Sequence, residues 1–153
     1  MIALGADHGG FLLKEAIKAY LEQENIAYHD FGTYSEDSVD YAPIAEQVAH
    51  AVANGEAEKG ILCCGTGIGI SITANKIKGI RAAVCTDCFT AEATRLHNNA
   101  NILAMGGRVV GPGLAVKIVD TFLNTPFSEE ERHIRRIKQM EEDTDIVDVN
   151  PEV

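Results

Sequence analysis

The sequence is poor in positive charge and contains no long apolar run. It has 13 lysines and arginines against 23 aspartates and glutamates, which gives a formal net charge of −10. An electrostatic field of that sign repels nucleic acid and anionic lipid, so neither is an expected partner. No apolar run approaches the roughly 18 residues of a membrane-spanning helix. The first residues, MIALGADHGG, lack the pattern of a signal peptide, so the cytoplasm is the expected location.

Low-complexity linkers and internal repeats are also missing. A chain of 153 residues with 46% apolar and 24% charged residues fits one domain with its own hydrophobic core. The acidic end of the chain has no helical pattern of apolar residues. We therefore expect one domain over residues 1–142 and a flexible acidic tail over residues 143–153.

Short apolar segments alternate with segments of helical periodicity along the chain. Strands are predicted over residues 2–6, 27–31, 60–64, 80–85 and 101–106, each followed by a predicted helix. Ser128 and Glu131 have the spacing of a capping box at the start of the last helix. Repeated strand–helix units with nearly all-apolar strands favour a parallel sheet covered on both faces. The predicted fold is α/β: a single-domain, three-layer α/β/α sandwich with a five-stranded, Rossmann-like parallel sheet.

Polar residues follow the predicted strands. In a parallel sheet, ligands bind beyond the carboxyl ends of the strands. Those ends carry the segments DHGG, GTYSEDSVDY, CCGTGIG, CTDC and GGRVVG. We place Asp7, His8 and His97 at this same edge, which makes it the candidate functional site.

A glycine-rich loop leads from the third strand into the next helix, with glycines at 65, 67 and 69. Such a loop gathers backbone N–H groups at a helix N-terminus and favours anions, although a tight turn would also need glycine. Its spacing excludes a P-loop, which requires GxxxxGK followed by Ser or Thr. A dinucleotide site remains an alternative, since Asp87 lies near the distance at which a ribose-binding acid is found.

Four cysteines lie near the same edge. We expect the third and fourth strands to be neighbours, which would bring Cys63, Cys64, Cys85 and Cys88 towards one another. Cys85 and Cys88 have the spacing of a zinc half-site, but Cys63 and Cys64 point to opposite faces of a strand. Cys64 faces the helix N-terminus, which favours the reactive thiolate, whereas Cys63 and Cys85 are expected in the core.

The last predicted helix carries Arg132, Arg135 and Arg136. Arg132 and Arg136 are one turn apart and share a face. That face is either a solvated basic surface or a clamp for phosphate, which guanidinium groups bind through paired hydrogen bonds.

Several of these segments together resemble one enzyme family. ADHGG, GTYSEDSVDY, CGTGIGISITANKIKGIRAAVC, RLHNNANIL, GGRVVG and RHIRRI match, in order, landmarks of the type B ribose-5-phosphate isomerases. Galactose-6-phosphate and allose-6-phosphate isomerases share that family. The resemblance covers roughly residues 1 to 140.

The resemblance implies an aldose–ketose isomerase that interconverts ribose 5-phosphate and ribulose 5-phosphate through a cis-enediolate. It implies no metal or other cofactor, and a homodimer or tetramer with active sites at the subunit interface. Allose 6-phosphate and galactose 6-phosphate are alternative substrates, and a non-catalytic nucleotide-binding module is a further alternative.

The family pattern also implies residue roles. Cys64 would remove the C2 proton, Thr66 and Asp7 would pass protons between substrate oxygens, and His97 would open the furanose ring. The residues expected to bind substrate are His8, Tyr41, Gly65, Gly67, Ile68, Gly69, Asn98, Arg108, Arg132 and Arg136.

By the same resemblance, His97 and Arg108 would come from the partner subunit. Ile70 occupies the position at which one branch of the family has a glutamate base, which leaves Cys64 without a rival. Two departures affect the site: SEEER replaces a glycine-rich segment before Arg132, and an alanine follows Tyr41 before the proline.

Overall fold

The structure, a computed structural model, describes residues 1–142. Its sheet has five strands, all parallel, in the order β2-β1-β3-β5-β4. The strands are β1 (Ile2–Ala6), β2 (Tyr28–Asp30), β3 (Lys59–Cys64), β4 (Ala82–Val84) and β5 (Ile102–Gly106). β3 lies at the centre, where Cys63 is in register with Ala6 of β1 and Cys64 with Gly106 of β5.

Six helices surround this sheet. They are α1 (Phe11–Gln23), α2 (Tyr41–Ala53), α3 (Ile68–Ala74), α4 (Cys88–Asn98), α5 (Pro112–Asn124) and α6 (Glu131–Glu142). Helices α1, α4 and α5 pack on one face of the sheet and α2 and α3 on the other, while α6 packs against α4. The expected three-layer α/β/α fold is therefore confirmed.

Alternate residues of the central strands enter different cores, because successive side chains of a strand point to opposite faces. Cys63 packs with Leu13 and Phe122 in the core beneath α1 and α5. Cys64 packs with Ile70 and Val48 in the core beneath α2 and α3. The two adjacent cysteines therefore point to opposite faces of the sheet, as predicted, and each lies in a core.

The expected pairing of the third and fourth strands is wrong. β4 is an edge strand and pairs with β5, which lies between it and β3. The N–H of Cys85 accordingly donates to the carbonyl of Ala104 in β5. After β3 the chain passes over one strand position to form β4 at the edge, and β5 later occupies the position between them. Local periodicity does not encode a strand order of this kind.

The two edges of the sheet carry different groups. Each helix that follows a strand starts near the carboxyl edge and runs back towards the amino edge. The end of α4 therefore lies at the amino edge, where the Arg81 guanidinium, just before β4, donates to the carbonyls of Asn98 and Asn99.

The expected acidic tail, residues 143–153, lies outside the described residues. Among residues 1–142, no helix has the length and apolar character needed to cross a membrane.

Candidate active site

The first site segment is the turn after β1. Asp7 is buried, and its Oδ1 accepts the N–H groups of Gly9 at 2.8 Å and Gly10 at 3.1 Å. His8 is half-buried, and its Nδ1 accepts the N–H of Val39 at 3.2 Å. Because Nδ1 is an acceptor in this bond, the proton of the neutral ring lies on Nε2, which leaves an N–H donor for a ligand.

The central site residue is Cys64 at the end of β3. Its Sγ is buried and accepts the N–H of Gly67 at 3.0 Å. Cys63 has no comparable donor, and its burial raises the pKa of its thiol to about 12. The two thiols therefore differ in their hydrogen-bond partners as well as in the side of the sheet that they face.

The loop between β3 and α3 is built from tight backbone contacts. Gly67 has φ of 80°, and a Cβ there would lie 2.8 Å from the carbonyl carbon of Met105. A Cβ on Gly107 would collide with the carbonyl oxygen of Gly9. Only glycine fits these two positions, so the segments after β1, β3 and β5 meet through their main chains.

Two N–H groups of this loop have partners within the chain. The N–H of Gly67 donates to Cys64, and the N–H of Ile68 donates to Thr66 Oγ1 at 3.2 Å. Thr66 and Ile68 are both exposed. The loop thus presents an exposed hydroxyl two residues after Cys64.

Two larger side chains border the loop. The Tyr41 phenol lies so close to Gly69 that a Cβ there would be 2.7 Å from its Cζ. The alanine after Tyr41 does not displace this residue, which forms the start of α2. Exposed Arg108 lies beside Gly65, where a Cβ would be 3.4 Å from a guanidinium nitrogen. Arg108 therefore reaches the loop of its own chain, and its supply to the site of a partner subunit stays a prediction.

A second group of site residues lies at the opposite edge of the sheet. His97 and Asn98 are exposed at the end of α4, and Asn98 Oδ1 accepts the Thr94 hydroxyl at 3.2 Å. The prediction that His97 shares an edge with Asp7 is wrong within one chain. The error has a simple cause, since His97 lies at the end of its helix and Asp7 follows a strand directly.

Arg132 and Arg136 lie in the first turns of α6, which packs on α4, and both are exposed. Arg132 forms an ion pair with Glu130 at 2.8 Å. The predicted capping box is wrong, because the Ser128 hydroxyl lies 2.7 Å from Nδ1 of His133 rather than binding the N–H of Glu131. One carboxylate of the acidic segment before Arg132, that of Glu130, thus pairs with this arginine.

Two buried polar residues near the candidate site, Lys14 and His133, were not predicted from the sequence. Lys14 is fully buried and donates to both oxygens of Asp30, at 2.6 and 2.7 Å, and to the carbonyl of Thr33 at 2.7 Å. These bonds hold the start of the segment from Asp30 to Val39. At the end of that segment, the N–H of Val39 donates to His8. A lysine within the apolar stripe of α1 was the available signal. The other missed residue is His133, which is buried beside His97.

Across residues 1–142, no three His, Cys, Asp or Glu side chains lie close enough together to hold a metal ion. Cys85 is buried and Cys88 half-buried, and both are free thiols.

Comparison with known proteins places this arrangement in a family. The model of the Ribose/Galactose Isomerase family matches residues 2–140. Ribose-5-phosphate isomerase B of Escherichia coli K12 is 50% identical over 137 residues, which cover 90% of this chain and 91% of the relative. D-erythrulose-4-phosphate isomerase of Pectobacterium atrosepticum is 44% identical over 128 residues, covering 82% of this chain and 84% of the relative.

Solved structures agree with the sequence comparison. The structure of ribose-5-phosphate isomerase B from Clostridium thermocellum superimposes with a TM-score of 0.92 at 49% identity, covering 94% of this chain and 97% of that one. The chain therefore belongs to the ribose/galactose isomerase family. This membership confirms the expectation of an enzyme, an aldose–ketose isomerase of sugar phosphates.

Proposed function

We propose that this member of the family interconverts ribose 5-phosphate and ribulose 5-phosphate, with Cys64 as the general base. The observation that carries the proposal is the contact between the Cys64 sulfur and the Gly67 N–H, at 3.0 Å, in a loop that begins a helix. A sulfur in this position is held as a hydrogen-bond acceptor. Relatives named ribose-5-phosphate isomerase B share about half of their residues with this chain.

The proposed reaction moves one proton between neighbouring carbons. The Cys64 thiolate takes the C2 proton of the open aldose, and the electron pair of that C–H bond forms the C1–C2 double bond of a cis-enediolate. The negative charge passes to O1, where N–H groups of the Gly65–Gly69 loop other than those of Gly67 and Ile68, which donate within the chain, would stabilise it. The Cys64 thiol then returns the proton to C1, and the ketone forms at C2.

A hydroxyl proton must also move from O2 to O1 during this exchange. Thr66 carries an exposed hydroxyl two residues after Cys64, and Asp7 is a buried carboxylate at the end of the neighbouring strand. We assign this transfer to them. Tyr41 and His8, which border the same space, would hold the sugar and the phosphate through O–H and N–H donors.

The substrate site is proposed to be shared between two copies of the chain. The base lies at the carboxyl edge of the sheet, whereas His97, Asn98, Arg132 and Arg136 lie at the amino edge. One copy cannot bring both groups to the same sugar. A homodimer in which the amino edge of one copy faces the carboxyl edge of the other would complete two equivalent sites.

In this arrangement each group at the amino edge has a role. His97 would open the furanose ring, and Asn98 would bind the sugar hydroxyls. Arg132 and Arg136 would bind the phosphate together with Arg108 and His8 of the first copy, because paired guanidinium groups match its oxygens. Residues 1–142 form the proposed catalytic domain, in agreement with the family match over residues 2–140.

A substrate panel tests the proposed activity. Purified protein is assayed with ribose 5-phosphate, allose 6-phosphate, galactose 6-phosphate and erythrulose 4-phosphate, the last because one relative is named for it. We expect the highest kcat/KM for ribose 5-phosphate, and turnover that disappears in the Cys64→Ala variant. A higher kcat/KM for another sugar would reassign the substrate. Binding of NAD or AMP without turnover of any sugar phosphate would contradict the enzyme assignment.

A further inference from the structure

His133 is a buried histidine that the reaction scheme does not use. It lies in the first turn of α6, with only 4% of its surface exposed. Its imidazole packs against that of His97, with ring centroids 4.5 Å apart and planes inclined by 40°. On its other side, Nδ1 lies 2.7 Å from the Ser128 hydroxyl oxygen. Three side chains from two helices and a loop thus form one contiguous group.

The hydrogen bonds of Ser128 define the state of the His133 ring. The Glu130 N–H donates to the Ser128 oxygen at 3.4 Å, which leaves the hydroxyl proton free to donate to Nδ1 of His133. Burial lowers the pKa of His133, and the neighbouring His97, Arg132 and Arg136 lower it further, against the opposing effect of Glu130. With the Ser128 hydroxyl donating to Nδ1, the neutral His133 ring carries its proton on Nε2.

His97, unlike the buried His133, is exposed to solvent. It is exposed in the last turn of α4, directly before Asn98 and the left-handed residue Asn99, which ends the helix with φ of 45°. An exposed histidine at a helix end has several rotamers open to it, and selecting one of them costs conformational entropy. The His133 ring is the aromatic surface that limits this freedom.

We propose that Ser128 and His133 are positioning residues for His97: the hydroxyl fixes the His133 ring, and that ring holds the His97 imidazole ready for ring opening. The inference rests on the proposed role of His97. Ring opening breaks the bond between C1 and O4, moves the proton of the O1 hydroxyl to O4 and leaves a carbonyl at C1. His97 must therefore reach both oxygens, which makes its orientation decisive.

The test compares two aldoses of equal length. Ribose 5-phosphate is closed as a furanose, whereas 4-deoxyribose 5-phosphate lacks the O4 hydroxyl and remains an open aldehyde. The variants are His133→Leu, His133→Phe and Ser128→Ala, with His50→Leu, an exposed histidine of α2, as the matched control. Circular dichroism and thermal unfolding establish that each variant is folded.

We expect His133→Leu to lower kcat/KM for ribose 5-phosphate by about tenfold. A positioned general acid or base contributes a factor of about a hundred or more, and a disordered His97 would lose part of that factor. The value for 4-deoxyribose 5-phosphate should change less than twofold. His133→Phe restores the packed ring and should recover part of the loss. Ser128→Ala should show a smaller loss with the same substrate selectivity, and His50→Leu should show none.

The result that would overturn the inference is an equal loss for both sugars, or no loss for either, in folded His133→Leu. His97→Asn separates this failure from that of the proposed function. If His97→Asn slows ribose 5-phosphate selectively while His133→Leu does not, His97 acts without positioning by His133. If His97→Asn slows both sugars equally, the ring-opening role itself is wrong.

Discussion

Replacement of Cys64 by alanine tests the proposed chemistry most directly. The substitution removes the sulfur that accepts the Gly67 N–H and is the proposed proton acceptor. A positioned general base contributes about 10²–10⁴ in rate, which corresponds to roughly 3–5 kcal/mol of barrier. We therefore expect kcat for ribose 5-phosphate to fall by at least about a hundredfold, measured by NMR as the appearance of ribulose 5-phosphate.

The effect on stability should be much smaller and can be measured separately. Removal of one buried sulfur costs about 1 kcal/mol, and the unpaired Gly67 N–H adds roughly 1–2 kcal/mol. Cys64→Ser retains an acceptor for that N–H and should be less destabilised in urea unfolding. It should still be slow, because a serine hydroxyl is a poor base at neutral pH.

Cys63→Ala is the matched control. It removes a buried sulfur from the adjacent residue of the same strand, and we expect a similar loss of about 1 kcal/mol in stability. Its turnover should stay within about twofold of the wild type. Near-normal turnover in Cys64→Ala, or an equal loss in Cys63→Ala, would refute the assignment of the base.

Three other perturbations examine the shared site and its support. Cys64→Ala and His97→Asn should each be impaired alone, but subunit exchange between them should restore about a quarter of wild-type activity; no recovery after proven exchange would contradict a site built from two copies. Arg132→Ala should raise KM about tenfold or more with little change in kcat, and unchanged kinetics would make this arginine a solvated surface residue. Lys14→Met should lower the free energy of unfolding by about 3 kcal/mol, because it removes the buried lysine from Asp30 and leaves only the partly exposed Lys18 on that carboxylate; a urea midpoint equal to the wild type would show that the Lys14–Asp30 pair is not stabilising.

Much of the fold follows from local patterns. All five strands were predicted within two residues of their observed bounds, because buried parallel strands are short, apolar and bounded by polar turns. The order of the strands was not predicted correctly, since the position of β5 between β3 and β4 depends on packing of the whole sheet. Periodicity reports which residues are buried, but it does not report which strand lies beside which.

The sequence predicted which residues form the candidate site more fully than it predicted where those residues lie. Cys64 and the glycine loop were found because a thiol before a helix N-terminus is a local feature of the sequence. The location of His97 was wrong because it depends on the direction of α4. The role of Ser128 was also misread, since its partner His133 is five residues away and a capping box was the nearer local explanation.

The main-chain contact between Gly107 and Gly9 has a consequence for which substitutions the chain can accept near the site. The segments after β1, β3 and β5 touch one another through backbone atoms, so their spacing does not depend on the length of a side chain at Gly9 or Gly107. An exposed side chain beside these contacts to which no role is assigned, such as Val109, is free to vary in size. Substitutions at such a position can therefore alter the surface around the site while the main-chain frame beneath it stays in place.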